Sequence, residues 1–171
     1  MQIQRILKYI DLVNEWTGRI VSYAILFMMF TFCYEVFARY VFNNPTIWVL
    51  EINQYVMCAY IALTGGYVMS HNAHVNVEIF YEKFSPKRKA LINIVTSVCF
   101  YAVVLILLWK SGLMAWESWA SNEESFSIVP FPLFPSKVTI PIGAFLILLQ
   151  GTAKLIREVI FLAGGDKPSH L

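Results

Sequence analysis

Charge is scarce in this 171-residue chain. Asp, Glu, Lys and Arg together make up 14% of it, against about 25% in an ordinary soluble domain. The formal net charge is only +2. No basic stripe with interleaved aromatics stands outside the apolar stretches, so nucleic acid is excluded as a partner. Cysteine is scarce too. Cys33, Cys58 and Cys99 each fall inside an apolar run, without CxxC or metal-ligand spacing. They read as small packing residues and exclude a disulfide framework or a zinc site. The common catalytic signatures are missing: HExxH, GxSxG, a phosphate-binding glycine loop, and a Cys/His pair within reach. The chain is not read as an enzyme, and no cofactor or metal site is expected in it. It contains no internal repeat and no low-complexity stretch.

What it has in abundance is apolar length. Hydrophobic residues make up 58% and the mean hydropathy is +0.59. Four runs, at 18–42, 48–69, 91–119 and 138–162, each match or exceed the roughly 20 residues that an α-helix needs to cross a bilayer core. The expected fold is an all-α integral membrane protein. A single domain, 1–171, has four transmembrane helices, preceded by an interfacial helix over 1–17. The first residues are too polar and the first run too long for a cleaved signal, so an uncleaved anchor is expected.

Lys and Arg are unevenly placed. Arg5, Lys8 and Arg19 precede or open the first run. Lys83, Lys87, Arg88 and Lys89 separate the second and third, and Lys154, Arg157 and Lys167 follow or close the fourth. The positive-inside rule puts both termini and the second loop in the cytoplasm. Ile3, Ile6, Leu7, Ile10, Val13 and Trp16 recur at helical spacing among polar residues, as in a helix lying on the membrane surface. A second such segment is expected around Val75–Phe84. Asn43-Asn44-Pro45 breaks the chain between the first two runs. Pro130, Pro132 and Pro135 forbid a regular helix in the third loop. Ser136 is expected to cap the fourth helix, with Pro141 near its start. Trp109, Trp116 and Trp119 suit an interfacial aromatic belt. Gly65-Gly66 reads as a close helix contact.

Ionisable residues inside spanning runs are costly and are functional candidates by default. Glu35 and Arg39 are spaced i, i+4 with the acid first, the better order for an ion pair. Trp48, Glu51 and Tyr55 share a face of the second run. With Lys110 and Lys137, three basic groups are expected to meet two acids at one depth, in the outward half. A network that fixes packing or docks a partner subunit is preferred over a proton or ion relay. His71 and His74 allow a haem or metal reading. A membrane haem usually takes His from two facing helices, however, and only Glu78 offers a further donor nearby, so a capped helix end with an interfacial His is preferred.

In order along the chain stand Arg39-Tyr40-Val41-Phe42-Asn43, Pro45, Trp48, Glu51, Gly65-Gly66 and His74-Val75-Asn76-Val77-Glu78. Pro86 with its basic cluster, Pro141-Ile142-Gly143 and Gln150 follow. This order resembles the small, DctQ-like membrane subunit of tripartite ATP-independent periplasmic (TRAP) transporters, from about Arg5 to Glu158. Asn76 stands where the family commonly has a basic residue, and Glu78 where it has Asp. The resemblance implies a bacterial inner-membrane protein that assembles with a large membrane subunit holding the substrate and sodium sites. It also implies a periplasmic binding protein that delivers a carboxylate such as a C4-dicarboxylate or a sialic acid. Four crossings leave little room for a midplane site between inverted repeats, which favours support over translocation. Two other readings are a haem-binding membrane anchor of a redox complex, motivated by His71 and His74, and a small self-assembling channel, motivated by the buried charges.

Overall fold

The computed structural model describes residues 2–71, 86–127 and 130–162. They form four helices: α1 (Gln2–Tyr40), α2 (Trp48–Ser70), α3 (Pro86–Ala120) and α4 (Phe134–Leu162). Several hydroxyls within the apolar runs are satisfied locally. Thr17 donates to the Val13 carbonyl at 2.8 Å, Thr64 to that of Tyr60 at 2.6 Å and Thr96 to that of Ile92 at 3.0 Å. These hydroxyls are thereby paired within their own helix, as hydrocarbon surroundings favour, whereas the buried Tyr101 and Ser118 hydroxyls of α3 have no hydrogen-bond partner.

The helices stand in a row. α1 packs on α2, α2 on α4 and α4 on α3, while α1 also touches α4. One end of the row carries the α1–α2 turn and the α3–α4 loop. The start of α1 and the end of α4 lie at the other. The turn is made by Asn43, which adopts a left-handed conformation with φ of 47°. Asn tolerates this better than other non-glycine residues. The Asn44 amide closes back on the Ala38 carbonyl at 3.0 Å.

Helices α1, α3 and α4 are long and apolar enough to cross a membrane. Helix α2 has the length, at 23 residues, but carries Glu51, Asn53 and Gln54 near its start. Its place between α1 and α4 buries Glu51 and Asn53, whereas Gln54 is exposed.

Three expectations require correction. The interfacial helix over 1–17 is not a separate element: α1 is one helix of 39 residues, about 58 Å long. Helix α4 begins at Phe134 instead of Val138, so Ser136 lies inside its first turn and is not its cap. Pro135 is tolerated in that turn because the first amides have no helical partner. Cys33 and Cys99 are exposed on the helix surface, not packed inside. The segment around Val75–Phe84 lies outside the described residues.

Close approach at α2 depends on glycine. A side chain at Gly66 would run into Asn14, one at Gly143 into the Ala62 backbone carbonyl, and one at Gly65 into Ile147.

Candidate functional site

The polar residues of the row gather at its two ends. At the turn end, Arg39 holds the Glu35 carboxylate at 2.7 Å across one helical turn. The other Glu35 oxygen accepts the Thr46 amide at 2.9 Å and the Thr46 hydroxyl. Glu35 therefore ties the end of α1 to the residues leading into α2. One turn deeper, Thr31 donates to Asn53 at 3.0 Å, and the Asn53 amide donates to the Val49 carbonyl at 2.8 Å. Trp48 leans on Tyr34 with ring centroids 6.1 Å apart. Tyr55 donates to the Pro132 carbonyl at 3.0 Å, and the Cys58 thiol reaches the Ser136 carbonyl at 3.5 Å. These contacts lash α2 to α1 on one side and to the start of α4 on the other.

The five charged groups do not converge. Lys137 pairs with Glu123 of the α3–α4 loop, not with Glu35 or Glu51. Lys137 sits in the first turn of α4, where the helix dipole disfavours a cation. Glu123 is brought beside it because the loop doubles back, with the Leu133 amide on the Glu123 carbonyl at 2.9 Å and the Ser125 amide on the Phe131 carbonyl at 2.8 Å. The Lys137 ammonium holds the Glu123 carboxyl below its usual range. Lys110 is exposed on α3, without an acid at ion-pair distance among the described residues. Glu51 is buried in the first turn of α2 and has no basic partner among them. Its carboxylate lies at the positive end of that helix dipole.

Two cavities flank the edge-to-face rings of Trp119 and Phe134, whose centroids are 4.6 Å apart. One, of about 300 Å³, is walled by Ser118, Asn122, Glu123 and Glu124. The other, of about 380 Å³, is apolar and runs along Gly112, Trp116 and Pro141.

The opposite end holds a network that sequence reasoning missed. Asn14 donates to Gln150 at 2.9 Å, Gln150 donates to Asp11 at 3.0 Å, and Arg157 pairs with Asp11 at 2.5 Å. Asn14 and Gln150 are 1% and 2% exposed. Four side chains thus pin the start of α1 to the end of α4. The available signal was Asp11 and Asn14 at i, i+3, with Gln150 and Arg157 one heptad apart in an apolar run. Nearby, His71 is exposed, stacks on Tyr67 at 4.4 Å and meets the Ser70 hydroxyl at 2.9 Å. His74 and Glu78 lie outside the described residues.

Residues 28–160 match the family model of the DctQ component of tripartite ATP-independent periplasmic transporters. That stretch is well over half of the chain. The chain belongs to the DctQ family. Comparison with curated proteins gives no match. A DctQ protein is a small membrane component of a transporter. Family members work beside a large membrane subunit and a periplasmic binding protein. In this DctQ protein the Glu35–Thr46 tie, Glu51, Lys110 and the Glu123–Lys137 pair all lie inside the matched region, while Asp11 and Asn14 precede it.

Proposed function

We propose that this DctQ protein supports the large membrane subunit of a sodium-coupled TRAP transporter and does not itself translocate substrate. The imported solute is a carboxylate of the C4-dicarboxylate or sialic acid type, delivered by a periplasmic binding protein. Sodium and substrate bind in the large subunit. The chain lies in the bacterial inner membrane with four crossings, α2 included, and both termini in the cytoplasm. The distribution of Lys and Arg supports that orientation. It makes the end with the α1–α2 turn and the α3–α4 loop periplasmic.

The observation that carries the reading is the use made of most polar groups between the helices. Half-buried Glu35 and buried Asn53, Asn14 and Gln150 are spent on ties within or between helices, and buried Glu51 stands alone, without a basic partner among the described residues. They cluster at the two ends of the row instead of forming a path through it. Transporter sites of the usual plan lie near the midplane, between broken helices. The described helices run unbroken.

Liposome reconstitution tests the proposal. This chain alone should take up no carboxylate, whereas the large subunit with this chain and the binding protein should do so under a sodium gradient. Sodium-driven uptake by this chain alone would contradict it.

A further inference from the structure

The two cavities at the loop end of the row share one pair of rings. Trp119 and Phe134 line both. On the loop side of the rings the smaller cavity is polar, with Asn122, Glu123 and Glu124 in its wall. On the other side the larger cavity is apolar, lined by Gly112, Ala115, Trp116, Val138 and Pro141. Gly112 precedes the end of α3 at Ala120, and Pro141 follows the start of α4 at Phe134. The apolar cavity therefore reaches about 10–12 Å inward from the loop. Trp116 and Trp119 are exposed beside it and mark the headgroup level.

The chain fills neither part by itself. Glu123 is held by Lys137, but Glu124 is exposed and has no basic residue at ion-pair distance among the described residues. Ser118 also lines the polar cavity, is 1% exposed, and its hydroxyl has no hydrogen-bond partner. A buried hydroxyl left in that state calls for an occupant that supplies one. At Gly112 an added Cβ would meet nothing within 4 Å, so the apolar cavity is open along α3.

We infer that the two cavities form one binding site for a phospholipid whose headgroup ends in a primary ammonium. The ammonium sits in the polar cavity against Glu124, and an acyl chain follows the apolar cavity between α3 and α4. The order of the site, polar at the loop and apolar inward, is the order in which a lipid stands in its leaflet. Charge selects the headgroup. An anionic one would face two carboxylates, and the nearby cation, Lys137, is already paired. A quaternary ammonium has no proton to donate, whereas carboxylates, an amide oxygen and a hydroxyl oxygen are acceptors. A bare divalent cation would ask for about six or more oxygen ligands, and one of the two carboxylates is taken. A lysine of a protein partner would answer Glu124 but leave the apolar cavity empty. If the loop end is periplasmic, as proposed, the outer leaflet supplies the lipid. The site itself does not depend on that orientation.

Native mass spectrometry of the delipidated full chain in detergent tests the inference. Phosphatidylethanolamine, phosphatidylcholine and phosphatidylglycerol with the same acyl chains are titrated in separately. Phosphatidylethanolamine should bind about tenfold more tightly than either of the others. Glu124→Gln should abolish that preference, and Gly112→Leu should weaken all three lipids by filling the apolar cavity. Both variants should keep the thermal midpoint, because Glu124 is exposed and a Cβ at Gly112 meets nothing. Free ethanolamine should not compete at the lipid's own concentration. Equal binding of the three lipids, or a preference that survives Glu124→Gln, would overturn the inference. So would competition by ethanolamine as strong as by the lipid, since the apolar cavity would then play no part. Loss of binding-protein-dependent uptake in Glu124→Gln with lipid binding unchanged would give the pocket to a protein partner and overturn it as well.

Discussion

An amide buried in an apolar helix has to find a partner or weaken the fold. Asn14 finds two, the Ile10 carbonyl at 3.1 Å and Gln150 at 2.9 Å. Gln150 is the hinge of the group, because its own amide also serves Asp11. Gln150→Leu should therefore leave the buried Asn14 amide with the Ile10 carbonyl alone and Asp11 without its Gln150 donor, and destabilise the chain by about 1–3 kcal/mol. Asn14→Leu combined with Gln150→Leu should recover much of that loss, since removing both partners leaves fewer groups unpaired. Thermal unfolding midpoints of the three variants in detergent measure the coupling, and purely additive losses would contradict it. Part of this scale was legible in the sequence. The i, i+4 order of Glu35 and Arg39 corresponds to a pair seen at 2.7 Å, because helical spacing alone brings them together. The Asn14–Gln150 contact spans 136 positions, and no local pattern encodes a contact of that range. Lys137 was assigned to the wrong acids for the same reason, since Glu123 reaches it only by the fold of a proline-rich loop.

Among the elements, three of the four apolar runs were legible as helices to within a few residues at most of their ends. The largest error fell where two helical patterns adjoin without a breaker. The surface-type pattern up to Trp16 runs into the apolar run at Gly18 with no proline or turn between them. The backbone continues, and Gly18 serves instead to admit the Tyr67 ring. Small residues matter most between α2 and α4. Gly143 faces the backbone carbonyl of Ala62, an atom that cannot rotate aside. Gly143→Val should separate the two helices and cost more than the roughly 1–3 kcal/mol typical of overpacking against movable side chains. Gly112→Val on α3, where an added Cβ meets nothing, should cost far less. A comparison of their thermal midpoints checks this, and equal losses would show that the α2–α4 contact is not close.

For the molecule as a whole, a row of four helices has two edges and two broad faces, and most of its apolar surface is turned outward. Such a shape suits a part that widens and steadies another membrane protein. The long exposed helix α1 and the polar ties at both ends of the row fit that role. Glu51, buried without a basic partner among the described residues, is the group on which a transport path through this chain would most readily be built. Sodium-driven uptake per assembled complex is therefore the most direct test, measured in liposomes with the large subunit and binding protein present. Glu51→Gln, and Glu35→Gln joined with Arg39→Gln, should retain uptake in proportion to the complex that assembles. Loss of uptake in either variant with the complex intact would place an ion path in this subunit and contradict the account.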